Sequence, residues 1–213
     1  LNFTTPFQNN CVCIRFQSFK KRPGTTDKGK GYEDLVIANI ALQLVSDANI
    51  INFHISSNDN AYGTFDDLVI KIETNNGSVV KAIQLKHSER KTLSTENLKA
   101  KKGDFSLTKY FKSYQELGRS ADEFILFTNR PFNCIDNEKF QLEDEGFYIK
   151  LVKAEDTLKI SGKENCVYQF QLVDLPNVQN PSKIQEYKTF FDNFYLYADQ
   201  ENFDKLRNTT VNT

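Results

Sequence analysis

One stretch constrains this 213-residue chain more than any other: FDDLVIKIETNNGSVVKAIQLKH, residues 65 to 87. Asn75-Asn76-Gly77 lies between two runs rich in β-branched residues. Asn and Gly accept positive φ at little steric cost, so the stretch predicts a hairpin with strands over 66–73 and 78–87. Side chains alternate faces along a strand, which puts Ala82, Gln84 and Lys86 on one face and Ile83 and Leu85 on the other. On the first strand Asp67 shares a face with Val69 and Lys71, and Asp66 goes with Leu68, Ile70 and Ile72. The turn is at the far end of both polar sets. Asp66 and Asp67 therefore open the first strand beside the place where Gln84 and Lys86 close the second. A hairpin needs none of these groups in order to fold.

The flanking sequence supplies the elements that would pack on it. From Gly31, YEDLVIANIALQLVSD sets Glu33, Ile37, Ile40 and Leu44 on one helical stripe that contains a carboxylate. Packed on the Gln84 face, such a helix would aim Glu33 into the cluster. IINFHIS (50–56) predicts a strand, making the hairpin a three-stranded meander. After a polar, lysine-rich loop from Ser88 to Asp104, SLTKYFKSYQELG has helical spacing, with Ser106 as N-cap and Gly118 as stop. EFILFTN (123–129) is a nearly continuous apolar run, suited to a strand covered on both faces. Residues 31–130 thus read as an α/β core of helix, three strands, helix and strand, a mixed sheet flanked by helices. Residues 1–30 are a lead-in, and 131–213 a C-terminal α/β extension packing on the core. In the extension GFYIKLVKA and CVYQFQLV predict strands. PSKIQEYKTFFDNFYLYA and QENFDKLRN predict helices, with Pro181 in a first turn.

Composition narrows the class. A formal net charge of −1 excludes a general polycation, so any nucleic-acid binding has to come from a local patch. Cys11, Cys13, Cys134 and Cys166 fit no zinc spacing, and a reduced intracellular chain, cytoplasmic or nuclear, is the simpler reading. The Asn-x-Ser/Thr triplets at Asn2, Asn76 and Asn208 would matter only in a secreted protein. No signal peptide or membrane-length apolar run is seen, so no membrane association is expected. The absence of methionine, even at position 1, points to a fragment or a processed product.

Carboxylates, an amide and an ammonium in this order suit phosphodiester hydrolysis assisted by Mg²⁺ or Mn²⁺. Mg²⁺ takes hard oxygen ligands, typically one or two carboxylates plus waters and substrate phosphate. An ammonium beside it holds the phosphate and stabilises its developing charge. At Glu33 in GYED, Asp67 in FDDLVI, and Gln84 with Lys86 in QLK, the chain resembles the PD-(D/E)XK, or restriction-endonuclease-like, superfamily. The Q-x-K form is most similar to the Mrr-like branch and to endonuclease modules of antiviral effectors. The resemblance implies a restriction-endonuclease-like core, Mg²⁺ held by Asp67, Glu33 and Gln84, Lys86 as the phosphate-stabilising cation, and DNA as substrate. It also implies fusion to a larger chain or a homodimer. Asp67 fits the family pattern better than Asp66. Gln84 stands where a second acid is usual, which leaves two readings: a variant catalyst, or a nuclease-dead binding or signalling module on the same scaffold.

GTTDKGKG (24–31) copies a phosphate-loop pattern, but Gly31 stands where Ser or Thr would bind Mg²⁺; a flexible basic linker is expected instead, and no nucleotide cofactor. Arg90, Lys91, Lys99, Lys101 and Lys102 could track a DNA backbone beside the cluster. His54 reads as a buried strand histidine, and His87 points away from the face of Lys86.

Overall fold

The computed structural model describes residues 27–88, 92–117, 121–133, 138–142, 147–158, 166–173 and 181–211. In chain order the elements are α1 (Asp27–Ser46), β1 (Ile50–Ser56), a 3-10 segment (Asn60–Phe65), β2 (Leu68–Thr74), β3 (Gly77–Lys86), α2 (Thr95–Lys99) and α3 (Leu107–Glu116). There follow β4 (Glu123–Thr128), β5 (Lys139–Gln141), β6 (Tyr148–Lys153), β7 (Val167–Val173), α4 (Pro181–Asp192), β8 (Phe194–Tyr197) and α5 (Phe203–Val211). All eight strands join one mixed sheet in the order β1-β2-β3-β4-β8-β7-β6-β5. β1, β2 and β3 form the antiparallel meander; β3, β4 and β8 run parallel; β7, β6 and β5 complete the sheet antiparallel. Residues beyond 130 therefore extend the same sheet that begins with β1.

Helices cover both faces. Val69, Ala82, Phe124 and Leu126 bury against Tyr110, Phe111 and Tyr114 of α3 and Phe190 of α4. On the other face Ile70, Ile83, Leu85, Ile125 and Phe127 meet Val36, Ile37 and Ile40 of α1 and Leu206 of α5. β4 is buried on both faces, as its unbroken apolar run requires. The hairpin turns where the sequence places it. β2 ends at Thr74 and β3 starts at Gly77, whose φ of 134° is open to glycine alone, and the Asn76 N–H donates to Thr74 Oγ1.

Several elements depart from the expectation. α1 begins at Asp27, so DKGKG, the end of the expected linker, is helical; at Gly31 an added Cβ would come within 3.0 Å of the Phe203 ring of α5. Inside the Ser88–Asp104 loop lies α2, opened by a Ser94/Asn97 capping box that satisfies backbone donors locally. FDNFYLYA is not helical beyond Asp192. The Asn193 side chain donates to the Thr189 carbonyl and its N–H to the Phe190 carbonyl, closing α4, and Phe194, Leu196 and Tyr197 then bury as β8. Ser106 caps α3 as expected, accepting from the Lys109 N–H, and Pro181 opens α4. Gly118 lies outside the described residues, as do Cys11, Cys13 and Cys134; Cys166 is buried. Among the described residues no helix is long and apolar enough to cross a membrane.

Candidate functional site

The polar corner follows from where the β2–β3 ladder stops. Its last pair toward the polar end is Leu68 with Ile83. One step further, Asp67 falls opposite Gln84, and the Leu85 N–H has no strand partner left. The Asp67 carboxylate takes that role, accepting the Leu85 N–H through Oδ2 at 2.9 Å. A buried donor is thereby satisfied, and the carboxylate is fixed between Gln84 and Lys86. On its other side β3 pairs with β4, Gln84 beside Leu126 and Lys86 beside Thr128. Just past the strands, Asn129 accepts the Ser88 N–H and donates to the Ser88 carbonyl, both at 2.9 Å, which pins the chain after Lys86. Asp66 is not a strand residue. It closes the 3-10 segment in the helical region (φ −92°, ψ −7°), so the face assigned to it by alternation does not apply.

Asp67 and Gln84 are 7% and 5% exposed. Among the described residues the Gln84 amide makes no hydrogen bond, and the Lys86 ammonium makes neither a hydrogen bond nor an ion pair.

The structure adds residues that the sequence reading missed. Lys109, in the first turn of α3, is half-buried on the Gln84 side of the sheet, its ammonium 5.4 Å from the Tyr110 ring centre. Burial, reinforced by the Lys86 charge, pulls its pKa below the usual lysine value against the attraction of Asp104 and Asp67. Burial pushes the Tyr110 phenol well up, with Asp104 and Asp67 adding to it, and its hydroxyl donates to the Asp104 carbonyl at 2.6 Å. Just past β4, Arg130 lies over the Phe105 ring at 4.5 Å, and burial lowers its pKa against the pull of Asp104. One signal for Lys109 was present in the sequence: a cation three residues after an N-cap opposes the helix dipole and is there at a cost.

Glu33 is half-buried at this end of the sheet but in the other layer. Its neighbour Tyr32 brings its ring within 4.6 Å of the His87 ring, just past β3. The same-face packing expected of its helix is not what forms. The stripe of Ile37, Ile40 and Leu44 needs an apolar surface, and on β3 that is the Ile83–Leu85 face; the Gln84 face belongs to α3. Of the expected DNA-tracking residues, Arg90 and Lys91 lie outside the described residues, Lys99 pairs with Glu96, and Lys101 and Lys102 are exposed between α2 and Asp104. His54 is half-buried, paired across the ladder with Lys71.

The donor set near Gln84 consists of hard oxygens, one carboxylate and one amide, which fits an ion that retains several waters. Among the described residues no group of three or more His, Cys, Asp or Glu gathers as a metal site. Comparison with protein-family models, with curated proteins and with solved structures finds no match.

Proposed function

We propose that this chain is a Mg²⁺- or Mn²⁺-dependent endonuclease acting on DNA, with residues 31–130 forming a restriction-endonuclease-like core. One observation carries the reading: Asp67 is fixed on the Leu85 N–H, between Gln84 and Lys86 along β3, and the side-chain ends of those two residues make no hydrogen bond or ion pair among the described residues. In this reading Asp67 and Gln84 hold the cation, and Glu33 is the second carboxylate, contributed from the α1 layer. The bound cation supplies Lewis acidity toward the phosphate. Lys86 binds a non-bridging phosphate oxygen and stabilises the negative charge that grows there in the transition state. The Leu85 N–H holds the Asp67 carboxylate in one orientation, which limits the reorganisation required when substrate arrives. Plasmid nicking tests the proposal: wild-type protein with Mg²⁺ or Mn²⁺ should nick supercoiled DNA, and Asp67→Ala, Glu33→Ala and Lys86→Ala should each nick it on the order of 10²-fold more slowly. Equal rates for wild type and Lys86→Ala would refute catalysis.

A second reading draws on the same hydrogen bond. One Asp67 oxygen is engaged by the backbone and Gln84 carries no charge, a set that suits a nuclease-dead DNA-binding or signalling module equally well. Titration separates the two, since a catalyst binds Mn²⁺ at millimolar concentration and loses that binding in Asp67→Ala, whereas the module binds DNA without it.

A further inference from the structure

Three cations gather where β3 and β4 end, and each lacks a counter-ion at salt-bridge distance among the described residues: Lys86, Lys109 and Arg130. The charge of Asp104 acts on both Lys109 and Arg130 without closing an ion pair to either, and Asp67, held on the Leu85 N–H, also acts on Lys109. Neither cation is loosely held. Lys109 is anchored in the helix by its own N–H to Ser106 Oγ. Arg130 is fixed at both backbone ends, its N–H donating to Thr128 Oγ1 at 3.2 Å and its carbonyl accepting the Asp199 N–H at 2.7 Å. Its guanidinium lies on the Phe105 ring, and its Nε is buried with no described partner. A stacked guanidinium pre-organises a fork that matches phosphate geometry, and an ammonium adds a point charge beside it.

We infer that Lys109 and Arg130 form, next to Lys86, a binding rim for the phosphodiester backbone of DNA, gripping phosphates that flank the one held by Lys86. The inference rests on the nuclease reading for the identity of the ligand but not for the chemistry, because backbone grip requires no metal. It also shifts the expected DNA contact from the 90–102 loop to the strand ends.

The test is fluorescence anisotropy of a labelled 20-base-pair duplex with the full chain in EDTA, across 50–200 mM KCl. Removing one cation that grips a B-DNA phosphate should reduce the slope of log affinity against log salt by about 0.9, equally for unrelated sequences. Lys109→Gln and Arg130→Gln should each show about one such decrement, Lys109→Arg should show none, and Lys112→Gln, on the exposed side of α3, should match wild type. Near-ultraviolet circular dichroism checks the fold, and if Lys109→Gln is unfolded then Arg130→Gln and Lys109→Arg still decide. Unchanged slopes in Lys109→Gln and Arg130→Gln, or no duplex binding by wild type, would each overturn the rim. The two proposals fail separately: Asp67→Ala that nicks like wild type removes the nuclease reading and leaves the rim standing, whereas unchanged slopes remove only the rim.

Discussion

β3 carries one lysine at its middle, where pairing with β4 begins, and one at its C-terminal end, and their surroundings are opposite. Lys81 is 5% exposed and fully engaged, donating to Glu123 Oε2 at 2.6 Å and to the Thr157 carbonyl at 3.3 Å. Thr157 in turn donates to Glu123 at 2.8 Å and meets the Tyr197 hydroxyl, which also receives the Leu158 N–H. At the C-terminal end of β3 the Lys86 charge acts on Lys109, and Lys86 makes no hydrogen bond or ion pair among the described residues. Identical side chains on one strand thus do two jobs. Where every polar atom is answered from within the chain, the cluster is a fastener; where cations are left facing one another, something from outside is expected to answer them.

The sharpest way to break this contrast is to exchange the consequences of losing each lysine. Lys81→Met strands Glu123 in a largely buried place, a loss of about 3 kcal/mol, or about 6–12 °C in melting temperature by calorimetry. Nicking per folded molecule should not change. Lys86→Ala should do the reverse, lowering the nicking rate by on the order of 10²-fold while shifting stability by less than about 0.5 kcal/mol.

A tyrosine at each end sharpens the contrast further. Tyr32 and Tyr197 both have pKa values raised above 10, mainly by burial, with Glu201 adding for Tyr32 and Asp156 for Tyr197. The unfolded chain loses these protons near pH 10 while the native protein keeps them. Their contribution is therefore intact below pH 10 and lost as pH rises from there toward the folded values. Tyr32→Phe and Tyr197→Phe should each reduce that alkaline loss in urea titrations between pH 9 and 11. At pH 7 they should differ. Tyr197→Phe loses hydrogen bonds and about 1 kcal/mol, whereas the Tyr32 hydroxyl has no described partner and its removal should be neutral or slightly favourable.

The smallest effect has the least ordinary sign. The pKa of Lys109 lies below its unfolded value, so between the two the unfolded state binds more protons and stability rises with pH. Below that window the charge works against folding. Because the side chain is half-exposed and solvent screens it, Lys109→Met should stabilise by only a few tenths of a kcal/mol at pH 7, less in high salt. A residue whose removal stabilises the fold yet weakens DNA binding would mark the open end as functional.

How much of this was legible in the sequence varies with the range of the interaction that decides it. The Asn75–Gly77 turn, the Ser106 cap and the Pro181 start are fixed by residues within four positions, and all are found in place. β8 was hidden because KTFFDNFYLYA is aromatic throughout. Such a run satisfies a helix or a strand until the slot between β4 and β7 selects one. The layer of α1 was likewise undetermined, since its stripe fits any apolar face and only the assembled sheet shows that the Gln84 side is occupied by α3. At the site, alternation gave Gln84 and Lys86 their common face, and it erred for Asp66 because the backbone there is helical. Lys109 and Arg130 come from elements far apart in sequence, and no local pattern joins them to Lys86.

The slot filled by β8 also has a kinetic meaning. The eighth strand in sequence lies in the middle of the sheet, between the fourth and the seventh. Until residues 194–197 have been synthesised, the side of β4 that pairs with β8 is an open edge whose backbone groups are a ready template for pairing with another chain. The β4–β8 pairing closes a sequence gap of some seventy residues, a non-local closure of the kind that slows folding. On a ribosome the polar corner would be assembled early, but the sheet that makes it rigid would be locked only near the end of translation of this region.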